Sequence, residues 1–293
     1  DGDSPQALEA AITLASELSL LPEEGTLDTR LRTALLDPQW GFSLRANLQR
    51  LQWAAGQVRG KLSRENWQAL TELQREAQRL DDLSADFTEL LDFLNRLVLS
   101  LAALSGFALD DMTRDEGWRF LLTGRRIERL HALSSSLGGF LRGPAATDQE
   151  GLEWLLELAN SSITYRSRYL AVAQLVPVLD LLLLDPQNPH GVLFQLRSLL
   201  RSLERLQSPP EPVLDALAER LTHFDLHSLE DPLFGEASLR AVLEGLAQML
   251  GQIAEASEDA AERLALRHFA HVDISQQTAV SYTPLTLPTK RIV

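Results

Sequence analysis

Residues 110–133, DDMTRDEGWRFLLTGRRIERLHAL, are the densest gathering of specific polar groups in the chain. Arg114, Arg119, Arg125, Arg126 and Arg129 stand there with Trp118 and Glu128. Guanidinium groups hold carboxylates and phosphates through paired, planar hydrogen bonds, so such a cluster can bind an anion. A glutamate lodged beside them must be paired or must keep its proton, because an unpaired buried charge costs several kcal/mol, on the order of what a whole fold can spare. On a helix, Gly117, Leu121, Gly124, Glu128 and Ala132 recur at three- and four-residue steps and share one face. That face is otherwise small and apolar, which predicts close approach of another helix at its glycines. Arg125 and Arg129 bracket Glu128 on neighbouring faces, and Arg126 lies two residues before it.

The following helical stretch adds Glu153, Glu157, Asn160, Thr164 and Ser167 along one stripe, with Tyr165, Arg166, Arg168 and Tyr169 near its end. A short connection makes successive helices antiparallel neighbours, so the two together predict a polar pocket of Arg, Glu and Tyr. Two readings of that pocket stand side by side. In one, Arg126 and Arg166 hold a carboxylate or phosphate while Glu128 moves a proton. In the other, a buried Arg–Glu network fixes helix register, with Trp118 and Tyr165 as core aromatics. His223 and His227 with Asp225, and His268 and His271 with Asp273, lack the further ligands that would make a metal site. No phosphate-cradling glycine loop and no Gly-x-Ser-x-Gly elbow occurs, and Gly138-Gly139 is an isolated pair.

The elements that must position these groups all carry helical periodicity. Apolar spacing and breakers predict helices over 5–21, 28–36, 43–60, from Ser63 onward, 84–105, 113–141, 148–176, a short apolar one ending at Asp185-Pro186, then 191–207, 211–223 and 237–269. The 84–105 helix is apolar around most of its circumference and reads as interior, with Asp81, Asp82, Asp86 and Glu89 as a solvated, dipole-favoured start. The longest apolar runs, 97–109 and 178–184, read as too short to cross a bilayer, which predicts no transmembrane helix. With 41 acidic against 27 basic residues, a formal charge of -14, generic attraction to nucleic acid or an anionic membrane is opposed. There is no cysteine, so disulfides and thiolate metal sites are excluded, and a cytoplasmic location is the default expectation.

The chain also repeats itself. Leu35-Leu36-Asp37-Pro38-Gln39 recurs as Leu183-Leu184-Asp185-Pro186-Gln187, and Leu44-Arg45, Leu48 and Leu51 as Leu196-Arg197, Leu200 and Leu203. Leu91, Leu94, Val98 and Leu101 likewise resemble Leu243, Leu246, Leu250 and Ile253. The expected fold is therefore all-α: an elongated helical bundle of two tandem repeats over 1–279, divided into 1–110 and 111–279. Projecting the Glu128 helix back by the same offset lands before Asp1, so the first repeat reads as truncated at its N-terminus. Residues 280–293, VSYTPLTLPTKRIV, lose the helical period and resemble the translation of a sequencing-library adapter, a non-native tail.

Met112-Thr113-Arg114, Gly117-Trp118-Arg119-Phe120, Gly124-Arg125-Arg126-Ile127-Glu128-Arg129, Ser162-Ile163-Thr164-Tyr165-Arg166 and 182–185 together resemble the alpha-E family, bacterial helical proteins named for a Glu-Arg motif and also catalogued as domain of unknown function 403. The resemblance covers most of 35–272. It implies association or fusion with a circularly permuted ATP-grasp ligase, in cis or in trans, and with transglutaminase-like proteins. ATP and magnesium would then belong to that partner, and this chain would need no cofactor of its own. The implied role is a noncatalytic helical partner or substrate-presenting domain for amide or peptide ligation. Two alternatives are an enzyme acting on an amide or peptide through Glu128, and a structural oligomerisation bundle.

Overall fold

The computed structural model describes residues 5–79, 86–169, 172–230 and 235–268. The expectations for Asp81, Asp82, His271, Asp273 and the 280–293 tail fall outside them. Among the described residues there are twelve α-helices and no strand, as an all-α chain requires. In chain order they are α1 (Pro5–Glu17), α2 (Leu27–Leu36), α3 (Leu44–Gln57), α4 (Arg64–Arg79), α5 (Phe87–Asp110), α6 (Glu116–Arg142), α7 (Gln149–Leu158), α8 (Ser162–Tyr169), α9 (Leu175–Leu179), α10 (Val192–Arg205), α11 (Pro212–Thr222) and α12 (Glu236–His268). A π-helical segment, Asp180–Leu184, continues α9 directly. Two compact units result, one of Ala15–Trp118 and one of the described residues up to Leu14 and from Arg119 onward.

In the Ala15–Trp118 unit, short polar residues start the helices where the sequence places them. Ser43 accepts a hydrogen bond from the Ala46 N–H at 3.0 Å, and Asp86 and Glu89 form a reciprocal capping box at the head of α5. Asp37 turns the chain between α2 and α3 by accepting from the Gln39 N–H at 2.8 Å. The core joins Leu48 of α3, Leu73 and Ala77 of α4, and Phe93 and Leu97 of α5. One expectation fails here. Helix α5 is not interior: Leu90, Phe93 and Leu97 are buried, while Leu91, Val98, Leu99, Leu101 and Leu109 are exposed. Apolar residues around a helix predict burial only when neighbours exist on every side, and the sequence pattern does not count neighbours. At 24 residues α5 is long and apolar enough to cross a membrane by length and composition.

The larger unit packs α6 against α12 in antiparallel fashion. A side chain grown at Gly138 would meet the Ala247 carbonyl oxygen at 3.3 Å and Leu250 Cβ at 3.5 Å. Arg142 pairs with Glu244 at 3.5 Å, and Arg240 donates to the Gly143 carbonyl at 3.1 Å, fixing the same register at one end. Beneath them, Leu130, Leu179, Leu182, Leu196, Leu214 and Leu246 are fully buried. The close approach is therefore at Gly138. At Gly124, where the sequence predicts it, nothing lies within 4 Å of an added Cβ, and at Gly117 only the Asp115 carboxylate does. The expected 148–176 helix is also divided. Asn160 takes a φ of 48°, a left-handed conformation that asparagine tolerates, and ends α7.

Helix ends in the two units keep a constant offset. Helix α2 spans Leu27–Leu36 and α9 with its π segment spans Leu175–Leu184, 148 residues on at both ends. Helices α3 (Leu44–Gln57) and α10 (Val192–Arg205) are again 148 apart at both ends, and the starts of α4 (Arg64) and α11 (Pro212) also differ by 148. Matching leucines by sequence places α3 against α10 four residues differently, because a shift of about one turn leaves the apolar face unchanged.

Gly138→Leu should destabilise the larger unit by about 1–3 kcal/mol through overpacking, whereas Gly124→Ala should stabilise it by up to about 1 kcal/mol through helix propensity. Urea unfolding followed by far-ultraviolet circular dichroism measures both. A Gly124→Ala penalty larger than that of Gly138→Leu would move the tight helix contact to the other face of α6.

Candidate functional site

Helix α6 starts on a polar anchor. The Asp115 carboxylate accepts from the Trp118 N–H at 3.0 Å and pairs with Lys61, and these bonds, Lys61 first, hold its carboxyl below the ordinary carboxylate range. Trp118 donates its indole N–H to the Ala108 carbonyl at 3.0 Å, and the Arg114 guanidinium lies 4.5 Å over its ring. Arg114 and Trp118 thus make a helix start within the Ala15–Trp118 unit. In the larger unit, Arg119 reaches the Arg205 carbonyl at 3.5 Å.

One turn on, α6 carries the arginine cluster. Arg126 donates to Gln195 Oε1 at 3.0 Å and lies 5.5 Å over the Phe194 ring, both on α10. Partial burial, then repulsion from Arg129, Arg125 and Arg201, draws its affinity for a proton below the ordinary value, and burial and Arg129 do the same to Arg125. Guanidinium groups stay charged through such shifts. What the shifts report is positive charge gathered without an answering carboxylate. Among the described residues none of Arg125, Arg126, Arg129 and Arg201 makes an ion pair, although Arg201 donates to Ser198 Oγ at 3.0 Å.

Glu128 is not the partner that its sequence position suggests. It is exposed over much of its surface and makes no ion pair among the described residues. Protein packed around its carboxyl raises the proton affinity, Glu258 of α12 adds to that, and His131 works against it. His131 in turn is 3.4 Å from Glu258 and 3.4 Å from the Ala254 carbonyl. Of the two outcomes expected for this glutamate, pairing or an upward shift, the shift is the one found.

The tyrosine side of the expected pocket is committed elsewhere. Tyr165 is buried, donates its hydroxyl to the Val172 carbonyl at 3.1 Å and accepts from the Gln174 N–H at 3.1 Å. Tyr169 donates to Asp180 at 2.9 Å, and burial with that bond pushes its pKa up to about 12. Arg168 pairs with the buried Asp185, so the two residues bracket the ends of the π segment with Tyr169 and Asp180. Arg166 and Glu157 are exposed and Thr164 is half-buried. The charges that act on Glu128 are those of His131 and Glu258, while Tyr165 and Arg168 bond within the α8–α9 region, so no joint Arg–Glu–Tyr pocket forms among the described residues. Arg126 meets α10 rather than Arg166.

A different cavity of ≈ 330 Å³ lies beside the cluster. Leu133, Leu137, Leu155 and Leu158 give it apolar walls, and Arg129, Asn160, His190 and Gln195 give it polar edges. Burial and the charge of Arg129 hold His190 below its ordinary pKa, so the imidazole is neutral at pH 7. Gln195 ties cavity and cluster together: its side chain is 1% exposed, accepts from Arg126 and donates to the Pro189 carbonyl. The arrangement can hold an anionic group against Arg125, Arg126 and Arg129 with an apolar portion in the cavity. Sequence reasoning places Asn160 on the polar stripe of the expected pocket and passes over His190, Gln195 and Arg201 as site residues. Gln195 alone carried a signal, a polar residue on the apolar stripe Val192, Leu196, Leu199.

Comparison with known proteins follows the same helices. Residues 3–269 match the family model Alpha-E, described as a predicted alpha-helical domain with a conserved ER motif. The Glu-Arg pair of the cluster is Glu128-Arg129. Uncharacterized protein Mb2597 of Mycobacterium bovis and uncharacterized protein Rv2567 of Mycobacterium tuberculosis are each 30% identical over 247 residues, covering 80% of this chain and 27% of the relative. The chain thus spans about a quarter of the length of these relatives. No solved structure matches it.

Glu128 sets a pH test. A carboxyl whose folded-state pKa is raised binds its proton more tightly in the folded than in the unfolded chain, so stability present below the ordinary value of 4.5 is lost as pH rises through the folded value. Glu128→Gln should therefore melt higher than the parent at pH 7.5, with the gap closing as pH falls toward 4.5. A variant that melts lower at pH 7.5 would mean that ionised Glu128 has a stabilising partner.

Proposed function

This chain belongs to the Alpha-E family, and from that premise we propose that it is a noncatalytic helical domain that presents a carboxylate- or phosphate-bearing peptide to a circularly permuted ATP-grasp ligase. The observation that carries the reading is the set of arginines on α6 and α10 that no carboxylate answers among the described residues, in a chain whose formal charge is -14. Uncompensated guanidinium groups crowded together are unfavourable for folding alone, and an incoming anion relieves them. Such a cost at one place in an otherwise acidic protein is what a binding site incurs. The locked hydroxyls of Tyr165 and Tyr169 support binding over chemistry, since neither is free to move a proton. The ligase supplies ATP and magnesium, and a transglutaminase-like protein is a further partner under the same reading. The greater length of the mycobacterial relatives leaves room for such a partner in cis.

One observation favours a second reading. The carboxyl of Glu128 keeps its proton more tightly than an ordinary glutamate, beside His131 and Glu258, which suits a general acid. Under that reading the domain itself acts on an amide or peptide, and Glu128→Gln would abolish turnover with the fold intact.

The double variant Arg125→Gln/Arg129→Gln tests the leading reading, since neither side chain has a hydrogen-bond partner among the described residues to lose. It should fold as the parent does and bind a hexaglutamate peptide at least about tenfold more weakly, the worth of one charge-assisted hydrogen bond. It should also fail to alter ATP turnover by the ligase where the parent alters it. Equal peptide affinity in parent and variant, or ATP turnover indifferent to the parent domain, would end the proposal.

A further inference from the structure

The shared order of helices sets α5 beside α12 for comparison, with starts 149 residues apart against 148 for the earlier pairs. Helix α5 starts at Phe87 and α12 at Glu236, which pairs Leu97 with Leu246, Val98 with Ala247 and Leu101 with Leu250. On the inner side the two helices agree, with Leu97 3% exposed and Leu246 0%. On the other side they differ sharply: Ala247 is 0% and Leu250 1% exposed, but Val98 is 65% and Leu101 37% exposed. What covers that side of α12 is α6, with Gly138 against Ala247 and Leu250, His131 at Ala254 and Glu258, and Arg142 at Glu244. The stripe Leu91, Val98, Leu101 and Leu109 on α5 keeps helical spacing along the equivalent face and stands open.

We propose that this open face of α5 seats a second helix of the α6 kind, antiparallel to α5, with a glycine or serine opposite Val98 and Leu101 and arginines along its flanks. The face that α6 turns to α12 carries His131, Ser134, Gly138 and Arg142, small residues in the middle, an imidazole toward one end and a guanidinium at the other. Helix α5 offers the complement. Its stripe is apolar at the centre, and exposed Asp92, Asp110 and Asp111 lie near its two ends with no cation partner among the described residues. Val98 fills space that Ala247 leaves free on α12, so the incoming helix needs its smallest residue there. A second copy of the chain does not supply this helix, because its own α6 is engaged by α12. A bilayer is opposed by Leu90, Phe93 and Leu97, which a membrane-spanning α5 would have to withdraw from their core.

The test titrates the full chain with a fluorescent peptide of the α6 sequence, residues 116–142, read by anisotropy, against the variant Val98→Glu/Leu101→Glu. The parent should bind the peptide, and the variant should bind at least about tenfold more weakly while keeping its far-ultraviolet spectrum and melting temperature. Comparison with the variant separates docking on α5 from exchange with the resident α6 on α12. Leu91→Gln, at the other end of the stripe, gives the same readout should the double variant not fold. Absence of binding, or equal binding by parent and variants, overturns the proposal. So does a Val98-dependent dimer in sedimentation, or Val98-dependent partition into phosphatidylglycerol vesicles.

Discussion

The contact on which the larger unit depends is the one between Gly138 of α6 and the backbone of α12 at Ala247. A hydrogen in place of a side chain lets the two helices close up, and dispersion between closely apposed backbones then replaces what a larger residue would bury. With that face of α6 fixed on α12, helix periodicity leaves the rest of its circumference little freedom. Arg126 comes around to α10 and Phe194, and Arg129 to the cavity beside Pro189 and His190. The arginine cluster is a consequence of where α6 is pinned, and so is the separation of Glu128 from it. Glu128 shares a side with His131, and His131 belongs to the α12 contact.

Much of the fold could be read from residues because its signals are local. Ser43, Asp37 and Asp86 act within three residues of themselves, and each does what its type predicts. The end of α6 at Arg142 follows from Gly143-Pro144 in the same way. The break at Asn160 was not legible, since it depends on one residue adopting a positive φ that many asparagines never use. The exposure of α5 was not legible for the opposite reason. Its composition is correct for an interior helix, but burial is a property of what surrounds a helix and not of the helix.

The site divides along the same line. That Arg125, Arg126 and Arg129 gather was visible, because they share one helix. Their partners were not, because Arg126 meets Gln195 across 69 residues of chain, a distance no spacing rule spans. The expectation that α6 and the next stretch of chain would share a pocket held only at the level of walls: Leu133 and Leu137 face Leu155 and Leu158 across the cavity. The tyrosines and Arg168 were drawn instead to the π segment, where Asp180 and Asp185 sit five residues apart, the step at which a π turn closes its hydrogen bond.

That π segment bears on how the two units relate in sequence. Asp185 donates its N–H to the Asp180 carbonyl, five residues back, while Asp37, 148 residues earlier, donates to Thr33, four residues back. Both aspartates then accept from the N–H two residues on, at 2.8 Å in each case. The turn is the same and the helix leading into it is not. A π turn holds more residues per turn than an α turn, so within the same ten-residue length the carboxylates of Asp180 and Asp185 can both reach Tyr169 and Arg168 of α8. Helix α2 has Arg32 at the position of Asp180, and that residue pairs with Asp28 one turn away on the same helix. One π turn thus accounts for a polar clasp that is present in one unit and replaced by a local surface pair in the other.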